Sequence, residues 1–400
     1  MARCLHAQEA PCMTAILTPA SVVDLELPPE DRGSSGSDRR DDIDAKQQKV
    51  ARLLAEVGCE GLMILDPANF TWLTSGAVAR CILDPKEQPG LYFTPTQRWL
   101  LCSNVESQRM FDEELDGMGF LLKEWPWHWG REQLLSDLLI NRNVACDEPL
   151  RDAKPLGDRL RPMRQALTRY EQACAAQLGE IVAHALEATC RSANPGDTER
   201  ELAGQLSHRL HRRGASPAML SVAADGRARD YRRHGFTSAP LEKYAVLTCT
   251  ARKYGLHVTA SRTFSFGPPD ERLRKEHLTA CKVAATLIAS TWPDAGFKEM
   301  FNAAKRVYLL TGFEHEWQLC PQGWITGRLP VELPLLPDST TLLQSGWLAT
   351  WGPTVGGSAC VDTFLVDEAG PQRLTPTDQW PLVSLRISGS EVLVPNILER

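Results

Sequence analysis

Three things are scarce in this chain of 400 residues, and each scarcity removes a class of function. The 12 cysteines stand singly, with no CxxC pair and no Cys/His spacing of the zinc-site kind, so reduced and mostly buried thiols are expected. No apolar stretch reaches the roughly 18 residues that a membrane span needs. The short apolar run near the N-terminus is broken by Thr and Pro, which does not fit a secretory signal. Blocks of like charge are missing too, and the net charge is −6, which leaves no electrostatic footprint for nucleic acid or anionic lipid. A cytoplasmic location is therefore expected, with a small-molecule or short-peptide ligand, no nucleic-acid or membrane partner, and no cofactor.

What is present is enough apolar material, 43% of residues, to bury a large core in two or three domains. Residues 1–42 include PPEDRGSSGSDRRDD, too polar to offset its ordering entropy, and are expected to be a disordered leader that truncation removes without loss of fold. From Ala45 onward, Val50, Leu53, Leu54 and Val57 follow helical spacing up to Gly58. The strand GLMILD follows, then NFTWLTSG, the β-type pair in LYFTPTQRWLLCS, a helical FDEELDGM and the tryptophan-rich GFLLKEWPWHWG. This alternation predicts an α/β domain over 43–158.

The second region, 159–400, opens with the long helical pattern MRQALTRYEQACAAQLGEIVAHALEATC. A second helix follows, with Glu201 at capping-box distance from Thr198. Strands come next in AMLSVAAD, YAVLTCTARKYG and LHVTASRTFSF, then two helices in ERLRKEHLTACKVAATLIAST and FKEMFNAAKRVYLLTG. The end is again β, in WLATWGPTV, CVDTFLVDE and VSLRISG. No internal repeat is visible.

Taken in order, His234-Gly235, Ser261-Arg262-Thr263 before Gly267, Gly323-Trp324-Ile325-Thr326-Gly327 with Glu332 five residues on, Trp351-Gly352-Pro353, and Val361-Asp362-Thr363 with Leu374-Thr375 form a specific set. The set resembles the creatinase, prolidase and methionine aminopeptidase clan over about Ala45 to Arg400. The resemblance implies a creatinase-like α/β N-terminal domain followed by an α+β pita-bread domain. It also implies a homodimer, in which the WPWHW segment would lie near the cleft or the interface.

The clan's usual chemistry rests on two metal ions held by two Asp, one His and two Glu, which activate a bridging water. Carried over by position, the two Asp fall on Thr248 and Thr259, the His on Trp324, and the two Glu on Gly352 and Val361. None of these supplies a carboxylate or imidazole, so no metal site is expected. His234 matches the clan's substrate-side histidine, which in the metal-free creatinase branch transfers protons, and an imidazole suits that task. That branch also orients its substrate with glutamates, for which this sequence has no counterpart at the ligand positions.

Several residues admit two readings. His234 is a pocket acid/base or a turn histidine among arginines, and His257 is a second cleft imidazole or a core-satisfied one. Cys249 and Cys360 neighbour vanished ligand positions, but strand alternation turns them away as structural thiols. Arg227, Arg229, Arg232 and Arg233 guide an anion or form a solvated loop. Trp125, Trp127 and Trp129 line the cleft mouth or fill an interdomain seam, and Glu332 orients a ligand or caps local backbone.

Three functions follow from these readings. The first is a metal-free, non-catalytic protein that binds a small peptide-like or C–N-containing molecule through Thr248, Thr259, His257, Trp324 and Glu332. The second is a metal-independent C–N hydrolase with His234 as general acid/base. The third is an Xaa-Pro-type aminopeptidase, which the ligand pattern opposes.

Overall fold

A computed structural model of the chain describes residues 36–80, 82–377 and 379–400. The first helix, Gly36–Val57, starts well before the Ala45 expected. Its early turns are held by polar contacts rather than apolar periodicity. Arg39 donates to the Thr74 carbonyl and Arg40 to that of Gly117, while Asp42 accepts from Lys46 at 2.6 Å and from the Ser75 hydroxyl at 2.5 Å. The expected leader boundary at 42 is therefore corrected: residues 36–42 pack, and truncation through Asp42 would cut this network. Residues 1–35, where the rest of that leader falls, lie outside the described residues.

The N-terminal lobe is built on a six-stranded sheet in the order Leu121–Trp125, Arg98–Ser103, Gly90–Phe93, Gly61–Ile64, Val144–Cys146, Lys154–Pro155. Antiparallel pairs sit at its centre and parallel pairs towards its edges. Trp125 is buried at the end of its strand, but Trp127 and Trp129 beyond it are 63% and 69% exposed, so they do not fill an interdomain seam.

The C-terminal lobe begins where the long helical pattern breaks. One helix, Gly157–Gln165, ends before Thr168, which opens the next, Arg169–Ser192, with a reciprocal capping box to Glu171. The capping box expected at Thr198 and Glu201 opens the helix Glu199–His211. Leu178, Val182 and Leu186 are fully buried in the core that this helix pair forms with the sheet behind it, each contributing about 1.5–3 kcal/mol on burial. That sheet runs Leu398–Glu399, Leu256–Ser265, Tyr244–Lys253, Ser216–Ala224. A five-stranded sheet containing Gly323–Thr326, Leu348–Trp351 and Asp362–Leu365 follows, with the helices Glu271–Ala289 and Phe297–Thr311 on its own core.

Two buried charge networks fix these parts relative to one another. Arg262 reaches Glu187 at 3.3 Å and Asp362 at 3.0 Å, tying the long helix to both sheets, and Thr375 adds a hydroxyl to Asp362 at 2.7 Å. Lys46, from the N-terminal lobe, meets Glu171 at 2.7 Å, and Arg328 closes on the same carboxylate. Burial would push the Glu171 carboxyl up, but Lys46 and Arg328 bring it down to about 2.

Candidate functional site

The cleft is organised by one hairpin. Tyr254 and Gly255 both have φ in the left-handed region, at 54° and 67°, which matches the right-handed twist of the flanking strands in a two-residue turn. This turn sets the register Thr248↔Ser261, Thr250↔Thr259 and Arg252↔His257, placing all six residues on one face. Cys249, paired with Ala260, lies on the other face inside the helix core, where burial pushes its thiol up to about 12. Cys360 is buried as well, in the second core. Cys249 sits where strand alternation puts it, while Cys360 lies just before the strand Asp362–Leu365.

The outer strand extends this face, because Ser221 lies opposite Thr248. The Ser221 hydroxyl is 3.1 Å from His234 Nδ1. Arg227 holds the His234 carbonyl at 2.9 Å, and Val222 donates to the Gly235 carbonyl at 2.7 Å, so the loop carrying His234 is fixed on both sides of the ring. Desolvation, then the nearby Arg227, lowers the His234 pKa against the pull of Glu199. The ring is neutral near pH 7, with Nδ1 paired to the serine hydroxyl.

The second sheet meets this face through hydroxyls. Thr363 Oγ1 donates to the Thr259 carbonyl at 2.9 Å and accepts from the Thr259 N–H at 3.1 Å and from Thr350 Oγ1 at 2.9 Å, which fills its capacity. Thr259 Oγ1 pairs with Thr250 Oγ1 at 2.9 Å. Val361 is joined to Ser261 by two bonds: its N–H donates to the serine hydroxyl at 2.8 Å, and its carbonyl accepts from the serine N–H at 2.9 Å. A Cβ added to Gly352 would stand 3.4 Å from Val361 Cγ1 and 3.5 Å from the Trp324 indole. Trp324 and Val361 thus flank the space a side chain at Gly352 would take, and Thr248 and Thr259 border them through Ser261 and Thr363.

The five positions converge, but what they bring together does not fit a pair of divalent cations. The threonine hydroxyls are neutral and pair off, Thr259 with Thr250 and Thr363 with Thr350, while an indole and an isopropyl group pack beside Gly352. Among the described residues no group of three or more His, Cys, Asp or Glu could hold a metal ion.

Two other predicted site residues are engaged elsewhere. His257 is buried, with its N–H and Nδ1 both directed at the Gly327 carbonyl at 2.9 and 3.2 Å, and desolvation lowers it to about 4. Glu332 forms a two-pronged pair with Arg164 at 3.2 and 3.0 Å and accepts from the Leu329 N–H at 3.1 Å. Arg164 also donates to Asn69 in the N-terminal lobe at 2.6 Å, so Glu332 ties the lobes together.

Of the arginine cluster, Arg227, Arg229 and Arg232 are paired with Glu199, Glu276 and Glu316 at 2.7, 3.1 and 3.0 Å, while Arg233 is exposed. An open groove of about 690 Å³ near Arg229 and Arg232 lies away from the hairpin face and is lined by cations and carboxylates in equal number. Sequence reasoning missed Ser221, Ser261, Thr350 and Thr363. Alternation from Thr259, Gly352 and Val361 points to Ser261, Thr350 and Thr363, whereas Ser221 depends on cross-strand register.

A two-lobed chain with this hairpin and two facing sheets has the bilobed pita-bread architecture, as expected from the order of its motifs. Residues 173–358 match Metallopeptidase family M24. The Xaa-Pro dipeptidase of Pyrococcus furiosus is 24% identical over 344 residues, covering 83% of this chain and 98% of the relative. In fold the chain is similar to the prolidase from Pyrococcus horikoshii OT3, with a TM-score of 0.72 at 18% identity, covering 84% of this chain and 99% of that one. It is also similar to the N-terminal domain of FACT complex subunit SPT16 from Cicer arietinum, with a TM-score of 0.62 at 11% identity, covering 85% and 96%. The chain thus shares the bilobed pita-bread fold of these proteins, with a match to Metallopeptidase family M24 within its C-terminal lobe. Among the described residues no helix is long and apolar enough to cross a membrane.

Proposed function

We propose that this chain is a metal-independent member of its family whose cleft binds a small peptide-like or C–N-containing molecule. The observation that carries this reading is the closed hydroxyl network of Thr250, Thr259, Thr363 and Thr350 beside the contact of Trp324 with Gly352. A surface rebuilt in this way keeps shape and hydrogen-bonding groups and gives up Lewis acidity. An Xaa-Pro-type aminopeptidase would need metal ligands that these five positions do not supply. We place the protein in the cytoplasm as a homodimer, on the grounds of composition and family.

The Ser221–His234 contact favours a second reading, a metal-independent C–N hydrolase in which neutral His234 takes and returns a proton. One experiment separates the two. Peptides, ureides and amidines are screened for hydrolysis and for a rise in melting temperature, in wild type and in His234→Ala. The binding reading expects a stabilising ligand whose effect weakens in the variant and no turnover. Turnover that falls by about two orders of magnitude or more in a folded variant would establish the hydrolase instead. No stabilising ligand and no turnover across the panel would remove both.

A further inference from the structure

Outside the cleft, the corner where the hairpin meets the end of the helix Glu199–His211 gathers positive charge in a chain whose net charge is −6. Arg212 and Arg213 follow that helix, and Arg252 and Lys253 end the strand Tyr244–Lys253. Lys253 donates to the Arg213 carbonyl at 3.1 Å, and Arg252 lies opposite Ser216, so the four cations stand together. Among the described residues no carboxylate forms an ion pair with Arg212, Arg213 or Arg252, whereas Arg227, Arg229 and Arg232 each have one. Burial lowers the pKa of Arg213 and of Arg252, and the charges beside them, Arg212 and Arg328, are cations that lower both further. A helix C-terminus favours the first two cations, but it gives no reason for two more on the neighbouring strand.

The hairpin tip next to Lys253 is pressed against the N-terminal lobe. A Cβ on Gly76 would stand 3.1 Å from the Tyr254 carbonyl oxygen, and one on Gly255 would stand 2.5 Å from Thr71 Cβ. Arg39 donates to the Thr74 carbonyl in that same turn at 3.0 Å. The first helix, which starts at Gly36, therefore begins within one turn of this junction, and the chain ahead of it departs beside the basic corner. That chain contains DLELPPED, residues 24–31, with Asp24, Glu26, Glu30 and Asp31 and no basic residue. An extended chain spans about 17 Å from Gly36 to Asp31 and about 40 Å to Asp24, so the segment reaches a corner that adjoins the tip. Four carboxylates of one short segment thus match four cations of one short surface. Exposed ion pairs are individually weak, and the tether compensates by holding the segment at high local concentration.

We propose that the acidic segment 24–31 docks on the corner formed by Arg212, Arg213, Arg252 and Lys253 of the same chain, and so straps the hairpin tip of the C-terminal lobe to the first helix. The surface is separate from the cleft, and the assignment is independent of what the cleft binds.

The test treats the full chain with a water-soluble carbodiimide, which joins a carboxylate to an amine in contact with it, and maps the links by mass spectrometry. Mixing unlabelled with heavy-isotope-labelled protein tells links within one chain from links between chains. The expected product is a link within one chain from Lys253 to Asp24, Glu26, Glu30 or Asp31. Raising NaCl from about 0.02 M to about 0.5 M shortens the screening length from roughly 20 Å to about 4 Å, and should slow this link at least about fivefold. Arg212→Glu reverses an exposed charge without touching the core and should slow it by a similar factor at low salt, with an unchanged circular dichroism spectrum. No link to Lys253 at low salt would overturn the proposal, as would links found only between chains. A link whose rate ignores both salt and Arg212→Glu would overturn it too. So would capture of the segment by Lys123 instead, which places it at the apolar groove of Phe111, Phe120 and Leu122.

Discussion

Replacing Thr363 by valine keeps the side chain's shape and removes only its hydroxyl. That hydroxyl donates to the Thr259 carbonyl and accepts from the Thr259 N–H and the Thr350 hydroxyl, all at 2.9–3.1 Å, and Thr363, Thr350 and Thr259 are each at most 1% exposed. Thr363→Val therefore strands a buried N–H and a buried hydroxyl donor that water cannot reach. Each unmet buried group costs about 1–3 kcal/mol, so a loss of about 2–4 kcal/mol is expected after some relaxation. Thr363→Ser keeps the hydroxyl and loses one methyl group, a cost of about 1 kcal/mol. Urea denaturation of the three proteins, compared by midpoint at unchanged slope, reads the difference. A valine variant within about 0.5 kcal/mol of wild type would refute the closed hydroxyl network, since that is the range of substitutions touching nothing.

Acid stability follows from His257 and His277, both lowered from 6.5 to about 4, first by desolvation. The unfolded chain binds more protons than the folded one between those values, so stability is full above pH 6.5 and falls towards pH 4, by roughly 2–4 kcal/mol for each histidine; a flat urea midpoint from pH 7 to 4.5 would contradict this. Glu332→Ala leaves the buried Arg164 without its main partner and should destabilise by about 3–5 kcal/mol, with Glu332→Gln milder, as measured by thermal melting. Cys249, fully buried with its thiol pushed up to about 12, should resist maleimide in the folded protein and react only on unfolding, as read by mass spectrometry.

The fold was legible where local chemistry and periodicity agree. The Thr198–Glu201 capping box and the hairpin around Tyr254-Gly255 both carry their signal within a few residues. The start of the first helix was not legible, because Asp42 and Lys46 are buried by pairing with Ser75 and Glu171, which lie far along the chain. The same holds for the site. Thr248, Thr259, Trp324, Gly352 and Val361 could be singled out by position in a familiar order, but which of them touch is a matter of register between two sheets. Glu332 read as a ligand-orienting carboxylate because its partner, Arg164, is remote in sequence.

The central claim is that this cleft has exchanged metal chemistry for hydrogen bonding, and metal titration tests it most directly. Purified protein stripped with EDTA is titrated calorimetrically with Mn²⁺, a hard cation that buried thiols bind poorly, and with Co²⁺, a borderline one. The account predicts no saturable binding and no change in melting temperature on adding either ion. Two equivalents bound with a matching rise in melting temperature, both lost on substituting residues around Thr248 and Thr259, would contradict it.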